Sequence, residues 1–261
     1  MFSSSFTLDN FEYFLLILVR IASFVVVAPF FNNTNVPNMT KIGFSCLLSF
    51  IIYYTVPFPS FDYSGIIGFT FCVVKEVITG LLLGFSANLC FYIIAFAGTI
   101  IDMDIGISMA TEFDPSMNME ISITGSLYNY FILLLLMLSG LYQYIIRAIC
   151  DSYQLIPIGW PEFHYDFLLA AMIKYLTALI VIAFRIFLPV FAVIMVLNCI
   201  LGIMVKVAPQ MNMFSVGMQL KVMTGLAVIY LTIFLVPNIA EFIFTNMKEM
   251  IVLFSEGLRP W

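Results

Sequence analysis

A short acidic segment, residues 102–120, carries the side chains of this chain that are best suited to chemistry. It contains five carboxylates, four methionines and one phenylalanine, and no basic residue. Carboxylates at this density could bind a hard cation through oxygen ligands, although their spacing is not that of an EF-hand loop. Asp102 and Asp104 could also suggest intramembrane aspartyl chemistry. Two acids at positions i and i+2 of a helix point about 200° apart, so they would not form a dyad that shares a proton.

The remaining catalytic and metal-binding patterns are missing from the sequence. There is one histidine, His164, and neither an HExxH pair, a G-x-S-x-G elbow nor a phosphate-binding G-x-x-x-x-G-K-[ST] loop occurs. The five cysteines lie singly, without metal-ligand spacing. We therefore predict that the chain is not an enzyme and has no cofactor and no bound metal. The net charge of −5 also argues against a nucleic-acid partner.

The elements that position the acidic segment are of membrane type. Hydrophobic residues make up 63% of the chain and charged residues 10%, against about 25% charged in soluble domains. Long uncharged stretches repeat along the sequence, at 21–40, 42–61, 77–101, 121–146, 186–205 and 222–240. Such runs are long enough to cross a bilayer as helices. We predict an all-α protein with a single domain, 1–261, in contact with membrane lipid.

Turn residues divide the chain into predicted helices. Pro189 is expected to interrupt the fifth helix and Pro237 to end the sixth. Gly80 and Gly84 form a small-xxx-small face that predicts close approach of another helix. The predicted helices are Phe11–Phe31, Lys41–Val56, Ile66–Ile101, Ile121–Ile149, Phe167–Val205, Val216–Val236 and Ile239–Phe254.

Charged residues inside these apolar helices need partners. They are Arg20, Lys75, Glu76, Lys174 and Arg185. Lipid would penalise each by about 2.5–3.5 kcal/mol on insertion scales. Either they form buried ion pairs within one bundle, or much of the chain packs on other subunits or lines an aqueous route. The second interpretation accounts better for the set.

The position of the acidic segment suggests its role. It lies between two uncharged runs of membrane length, 77–101 and 121–146. A soft acidic loop held between two such helices favours an element that fills or gates a passage. Methionine is unbranched and polarizable, which suits a seal around varied shapes, but the same methionines could simply fill a core.

The stretch 201–221 contains a Pro-Gln-x-Asn-x-Phe core followed by a glycine and a lysine. This stretch, the most specific of several, resembles the FliR family, the export-gate subunit of flagellar and virulence type III secretion systems. The resemblance also covers Arg20, Ala28-Pro29-Phe30-Phe31, Val36-Pro37, Lys41-Ile42-Gly43, Glu76, Gly80, Leu83-Gly84-Phe85, Ala97-Gly98, Ile101-Asp102-Met103, Asp114-Pro115 and Ile156-Pro157-Ile158-Gly159.

The chain departs from the family pattern at three positions. Asp104 replaces a common glutamine, Lys206 an arginine, and Gln219 a proline. Lysine keeps the charge of arginine but loses its planar fork, so a two-pronged contact at residue 206 is in doubt. The choice between the flagellar and the virulence branch stays open.

The resemblance implies an architecture and a set of partners. FliR-like proteins are similar to a FliP-like unit and a FliQ-like unit joined in one chain, here approximately 1–160 and 161–261. One copy assembles with several FliP-like and FliQ-like subunits into an export gate, alongside FlhA-like and FlhB-like export proteins. Such a gate passes unfolded export substrates and resides in the bacterial inner membrane, at the flagellar basal body or the injectisome base.

The resemblance also implies roles for individual residues. The family's central loop projects into the channel as a plug. Here it would comprise Gly106, Met109, Phe113, Asp114, Pro115, Met117 and Met119. The residues expected to be buried charges or subunit contacts are Arg20, Lys75, Glu76, Lys174, Arg185, Lys206 and Lys221.

A different function class remains as an alternative. The chain could be a small-molecule or ion transporter in which Asp102, Asp104 and the interior bases form a coupling site. Such carriers usually show paired repeats with interrupted helices in corresponding halves, and no such pairing is visible in the sequence.

Overall fold

The computed structural model describes residues 8–29, 31, 36–56, 65–108, 122–159, 161–208, 210 and 213–259. These residues are almost entirely helical, which confirms the all-α prediction. The helices are α1 (Leu8–Val27), α2 (Asn38–Thr55), α3 (Gly65–Ala87), α4 (Leu89–Ile105), α5 (Ile123–Leu138), α6 (Leu141–Leu155), α7 (Tyr165–Val207), α8 (Met213–Thr232) and α9 (Val236–Glu256), with a short 3₁₀ turn Ile233–Leu235 before α9.

Two predicted helices are each broken in two. The first breaks at Asn88, whose backbone N–H is shared between Gly84 O, four residues back, and Phe85 O, three residues back, a pattern common at helix ends. The second breaks at Ser139-Gly140, where Gly140 has φ +70° and the axis bends by 73°. A glycine in the left-handed region is a common helix terminator, so this break had a sequence signal.

The prediction that Pro189 interrupts its helix is wrong. Helix α7 continues for 43 residues with Pro189 inside it. A proline removes one backbone hydrogen bond, but the buried side chains Ile186, Phe187 and Val190 hold the helix on both sides of it. At about 1.5 Å per residue α7 is about 65 Å long, roughly twice the hydrocarbon thickness of a bilayer.

Within the described part of the chain, four segments are long and apolar enough to cross a membrane. They are Asn10–Val27, Gly65–Ala87, Tyr165–Val207 and Ser215–Glu256, and the bent pair α5–α6 would make a fifth. Many of their large apolar side chains are exposed, among them Ile66, Phe71, Leu188 and Phe234. Such surfaces need lipid or other chains to cover them.

The helices form two compact units, each drawn from separate parts of the chain. The first comprises Met1–Leu89, Gly140–Leu176 and Asn246–Trp261, and the second comprises Cys90–Ser139 and Thr177–Thr245. These two units are defined by contacts in space. They are different from the FliP-like part, 1–160, and the FliQ-like part, 161–261, which stay a prediction.

In the first unit, α1 packs against α2 and α3. Gly80 and Gly84 of α3 meet the backbone of α1, since a Cβ on Gly80 would lie 2.3 Å from Arg20 O and one on Gly84 would lie 2.9 Å from Phe24 O. The close approach predicted from the two glycines is confirmed.

The carboxyl-terminal end of the chain docks within the same unit. The backbone N–H of His164 donates to Gly257 O at 3.1 Å, and its Nε2 lies 2.9 Å from Arg259 O. Tyr175 stacks on Phe85 with ring centroids 4.4 Å apart. The lone histidine of the sequence therefore has a structural role next to the end of α9.

Candidate functional site

The acidic segment leaves the fold at the end of α4. Gly106 has φ +92°, a conformation that L side chains rarely adopt, and its N–H donates to Asp102 O at 3.0 Å. Ser108 N–H reaches the same carbonyl at 3.4 Å. Gly106 thus ends the helix and turns the chain, and its part in a plug loop stays a prediction.

The other predicted plug residues lie outside the described residues. They are Met109, Phe113, Asp114, Pro115, Met117 and Met119. The structure describes the two ends from which this segment departs, α4 with its following turn and the start of α5.

The two ends are joined by Asp102, whose side chain is 5% exposed. Its Oδ2 accepts a hydrogen bond from Ser122 Oγ at 2.7 Å, and its Oδ1 accepts one from Thr124 Oγ1. The Thr124 N–H lies 3.3 Å from both oxygens. We call Asp102, Ser122 and Thr124 the clasp.

The clasp lies at the amino terminus of α5, where unpaired N–H groups favour a negative charge. Ser122 is the N-cap residue, and its Oγ accepts the N–H of Gly125 at 2.8 Å while donating to Asp102. A carboxylate at the end of α4 is unfavourable for α4 itself. The neighbouring start of α5 offsets that cost.

A second contact holds α4 and α5 together beside the clasp. A Cβ on Gly98 would lie 2.2 Å from the Cα of Gly125, so the two helix backbones touch at these glycines. Gly98 precedes Asp102 by about one helical turn. The clasp therefore lies beside a close crossing of the two helices.

Asp104 is next to the clasp but does not take part in it. Its Oδ2 is buried and has no hydrogen-bond partner among the described residues. Burial raises the pKa of this carboxyl, and the nearby Lys221 ammonium offsets part of the rise. Asp104 belongs to α4, outside the four membrane-length segments.

The buried charges Arg20 and Glu76 pair with each other inside the first unit. Both side chains are 0% exposed, and Arg20 contacts Glu76 through Nε–Oε2 and through Nη2–Oε1 at 2.9 Å. Arg20 Nη1 donates to Ile156 O at 3.0 Å, and Gly159 N–H donates to Glu76 Oε1 at 2.8 Å. The Tyr153 ring lies 4.4 Å from the guanidinium carbon.

This network explains how two charges are tolerated in an apolar helix pair. A buried ion pair is stable only when further hydrogen bonds satisfy its remaining atoms, and the backbone of residues 156–159 supplies them. The network also fastens the chain after α6 to α1 and α3. For Arg20 and Glu76 the structure therefore shows the within-chain pairing that the sequence left as one of two alternatives.

The other predicted interface charges are at least partly accessible. Lys174 pairs with Glu249, with side chains 48% and 52% exposed. Arg185 is exposed, its guanidinium carbon 5.5 Å from the Phe242 ring centroid. Lys206 is exposed, whereas Lys75 and Lys221 are half-buried. A role in subunit contacts stays a prediction for these residues.

Sequence reasoning missed partners of two buried charges, Asp102 and Arg20. Ser122 and Thr124 directly precede an apolar run, which is the signature of a helix N-cap, and that signal was available. Nothing local pairs Thr124 with Asp102, 22 residues away, or Tyr153 with Arg20.

Comparison with known protein families assigns the chain. Residues 11–247 match the family described as "Bacterial export proteins, family 1". The chain belongs to this family. Its relatives include the flagellar biosynthetic protein FliR of Bacillus subtilis (strain 168), which is 31% identical over 254 residues that cover 94% of this chain and 97% of the relative. The FliR-family resemblance found in the sequence is confirmed.

Further relatives of this family member include a second flagellar protein and a surface presentation protein. FliR of Escherichia coli (strain K12) is 24% identical over 237 residues, which cover 90% of this chain and 89% of the relative. The surface presentation of antigens protein SpaR of Shigella flexneri is 30% identical over 161 residues, 62% of each chain. Family membership and the membrane-length helices make this an export protein of the bacterial inner membrane.

Proposed function

We propose that this FliR-family protein forms part of the entry channel of a type III export gate and contributes a plug loop, residues 106–119, to it. One copy would assemble with FliP-like and FliQ-like subunits, next to FlhA-like and FlhB-like proteins. The complex would lie at a flagellar basal body or an injectisome base and pass unfolded export substrates. Membership in the export family supports the general role as a component of this apparatus.

The clasp is the observation that carries the plug proposal. The described residues on either side of the methionine-rich acidic segment are held together, because Asp102 binds both Ser122 and Thr124 beside a close helix crossing. A gate loop needs anchored ends together with a part that can adapt to the cargo. Methionine side chains adapt to varied shapes, and an apolar constriction can block ions by dewetting when no cargo is present.

Exposed groups support the proposal of several partner subunits. Helix α7 exceeds a single bilayer crossing and exposes apolar side chains along its length, among them Ile173, Leu188 and Ile203. Lys174 and Glu249 form an exposed pair in the same chain. Lipid alone would penalise such charges, whereas neighbouring subunits or water would accommodate them.

The gate itself would do no chemistry. We expect the driving force to come from the proton gradient and an associated ATPase. The alternative, a transporter with Asp102 in a coupling site, is less consistent with the contacts. Protein donors from Ser122 and Thr124 occupy both oxygens of that carboxylate, and the family is one of export proteins.

Replacing residues 109–119 by a glycine–serine linker of equal length tests the plug. We expect ion leakage through the assembled gate to rise in the absence of export substrate, because the linker lacks the methionines that would seal the channel. Ion flux would be measured in membrane vesicles that carry the gate, after native electrophoresis has shown normal assembly. An assembled variant gate with unchanged flux would contradict the plug.

A further inference from the structure

We infer that Asp102 is a positioning residue for the gate loop, because it fixes both ends of the loop through the clasp. This inference rests on the proposed gate function. The structure supports it by placing one carboxylate, at the end of α4, in contact with the first described residues after the loop. If the clasp opened, the two ends would no longer be held at one point.

The bond between the helices is separable from the cap of α5. Ser122 Oγ caps α5 by accepting the N–H of Gly125, which needs no carboxylate. Asp102 adds contacts that run from α4 to α5, and its charge strengthens them, since hydrogen bonds to an ionised acceptor are about twice as strong as neutral ones. Its contribution is therefore chiefly to the relative position of the two helix ends.

The contact between α4 and α5 does not depend on Asp102 alone, so Asp102 can be replaced without loss of the fold. Gly98 and Gly125 hold the two backbones in contact independently of the clasp. Loss of Asp102 should leave α4 and α5 packed and free only the ends that lead into the loop. A positioning role therefore predicts a leaking gate that still assembles.

Two substitutions each remove one hydrogen bond of the clasp with little change in side-chain volume. Asp102→Asn removes the charge and replaces one of the two acceptor oxygens by an NH₂ group, so only one oxygen remains to accept from Ser122 or Thr124. Thr124→Val keeps the shape of a side chain that is 3% exposed and removes only the hydroxyl donor. Thr124→Ser restores that donor, so it should rescue the function that Thr124→Val loses.

The experiment measures substrate-free ion flux in vesicles carrying the complete export gate. Asp102→Asn and Thr124→Val should raise the flux by about tenfold, the change in an equilibrium expected for the loss of one charge-assisted hydrogen bond. Thr124→Ser should stay near the wild-type flux. Two matched controls lie on α4 outside the clasp: Asp104→Asn removes a neighbouring acid, and Thr99→Val removes a hydroxyl that donates to Ala95 O within its own helix.

The outcomes separate this inference from the plug itself. A leak after replacement of residues 109–119 but none from Asp102→Asn or Thr124→Val would overturn the clasp and leave the plug standing. Unchanged flux in all three would overturn both. If Asp102→Asn prevents assembly, the comparison of Thr124→Val with Thr124→Ser decides. A leak in Thr124→Val and none in Thr124→Ser would support positioning. Equal flux in the two variants would contradict it.

Discussion

Arg20 and Glu76 form an ion pair that is completely buried between α1 and α3, although 56 positions separate them in the chain. Backbone groups of Ile156 and Gly159 complete the hydrogen bonding of both side chains. The pair therefore joins three segments of the first unit. Removing either side chain would leave a buried charge without a counter-charge, which strongly destabilises a protein.

Glu76→Gln is expected to destabilise the protein by about 3 to 5 kcal/mol, because it leaves the buried Arg20 without a counter-charge. Unfolding by denaturant in mild detergent would measure the change. The exposed pair offers a matched control, since Glu249→Gln should cost about 0 to 1 kcal/mol. The double variant Arg20→Met with Glu76→Leu should lose less than Glu76→Gln alone. Similar losses for Glu76→Gln and Glu249→Gln would refute the structural role of the buried pair.

Gly80→Ala should disrupt the packing of α1 on α3. The new Cβ would lie 2.0 Å from Ser23 Oγ and 2.3 Å from Arg20 O, and the second atom is backbone that cannot turn aside. We expect the free energy of unfolding to fall by about 1 to 3 kcal/mol, as is typical when a packed interface is overfilled. Gly202→Ala is the control, because a Cβ there meets nothing within 4 Å and alanine favours a helix by about 0.5–1 kcal/mol. Equal stability of the two variants would contradict the close approach of the helices.

Asp104→Asn should stabilise the protein at neutral pH. Burial raises the pKa of Asp104 in the folded state, so its ionised form costs folding free energy. Below the ordinary pKa of an aspartate the carboxyl is protonated in both the folded and the unfolded state, and it costs the fold nothing. As pH rises through the raised pKa, the carboxyl ionises in the folded state and the free energy of unfolding falls. The variant and wild type should therefore have similar melting temperatures in acid, and the variant should melt higher at pH 7. A wild type that melts higher at pH 7 would show that attraction to Lys221 outweighs burial.

The complex purified in mild detergent from the native cell should contain one copy of this chain with several copies of two smaller helical-hairpin proteins. The exposed apolar side chains of the membrane-length helices are expected to be covered by those subunits. Native mass spectrometry would give the mass and the subunit ratio. A stable monomer or homodimer would be incompatible with the proposed gate.

Local patterns in the sequence determined the class of this protein. Composition and long uncharged runs identified an all-α membrane protein, because helix formation and bilayer length are properties of single segments. Gly80 and Gly84 predicted close helix packing, since their spacing alone places them on one face. The stretch 201–221 identified the family, and the comparison with relatives confirmed it.

Some boundaries escaped local reasoning. Asn88 breaks a continuous apolar run through a backbone arrangement that hydropathy does not register. Pro189 stays within α7 because buried neighbours on either side outweigh the hydrogen bond that proline removes. At Pro189 packing decides between two conformations that the local sequence allows.

Which charged residue meets which was decided only by the tertiary structure. The sequence marked Arg20 and Glu76 as residues that needed partners, but it left open whether those partners lay within the chain, and it marked no partner for Asp102. Arg20 met Glu76, and Asp102 met Thr124 on the following helix. Spacing along one helix specifies the face of a side chain, whereas contact between two helices depends on how their backbones cross, here set by glycines such as Gly98 and Gly125.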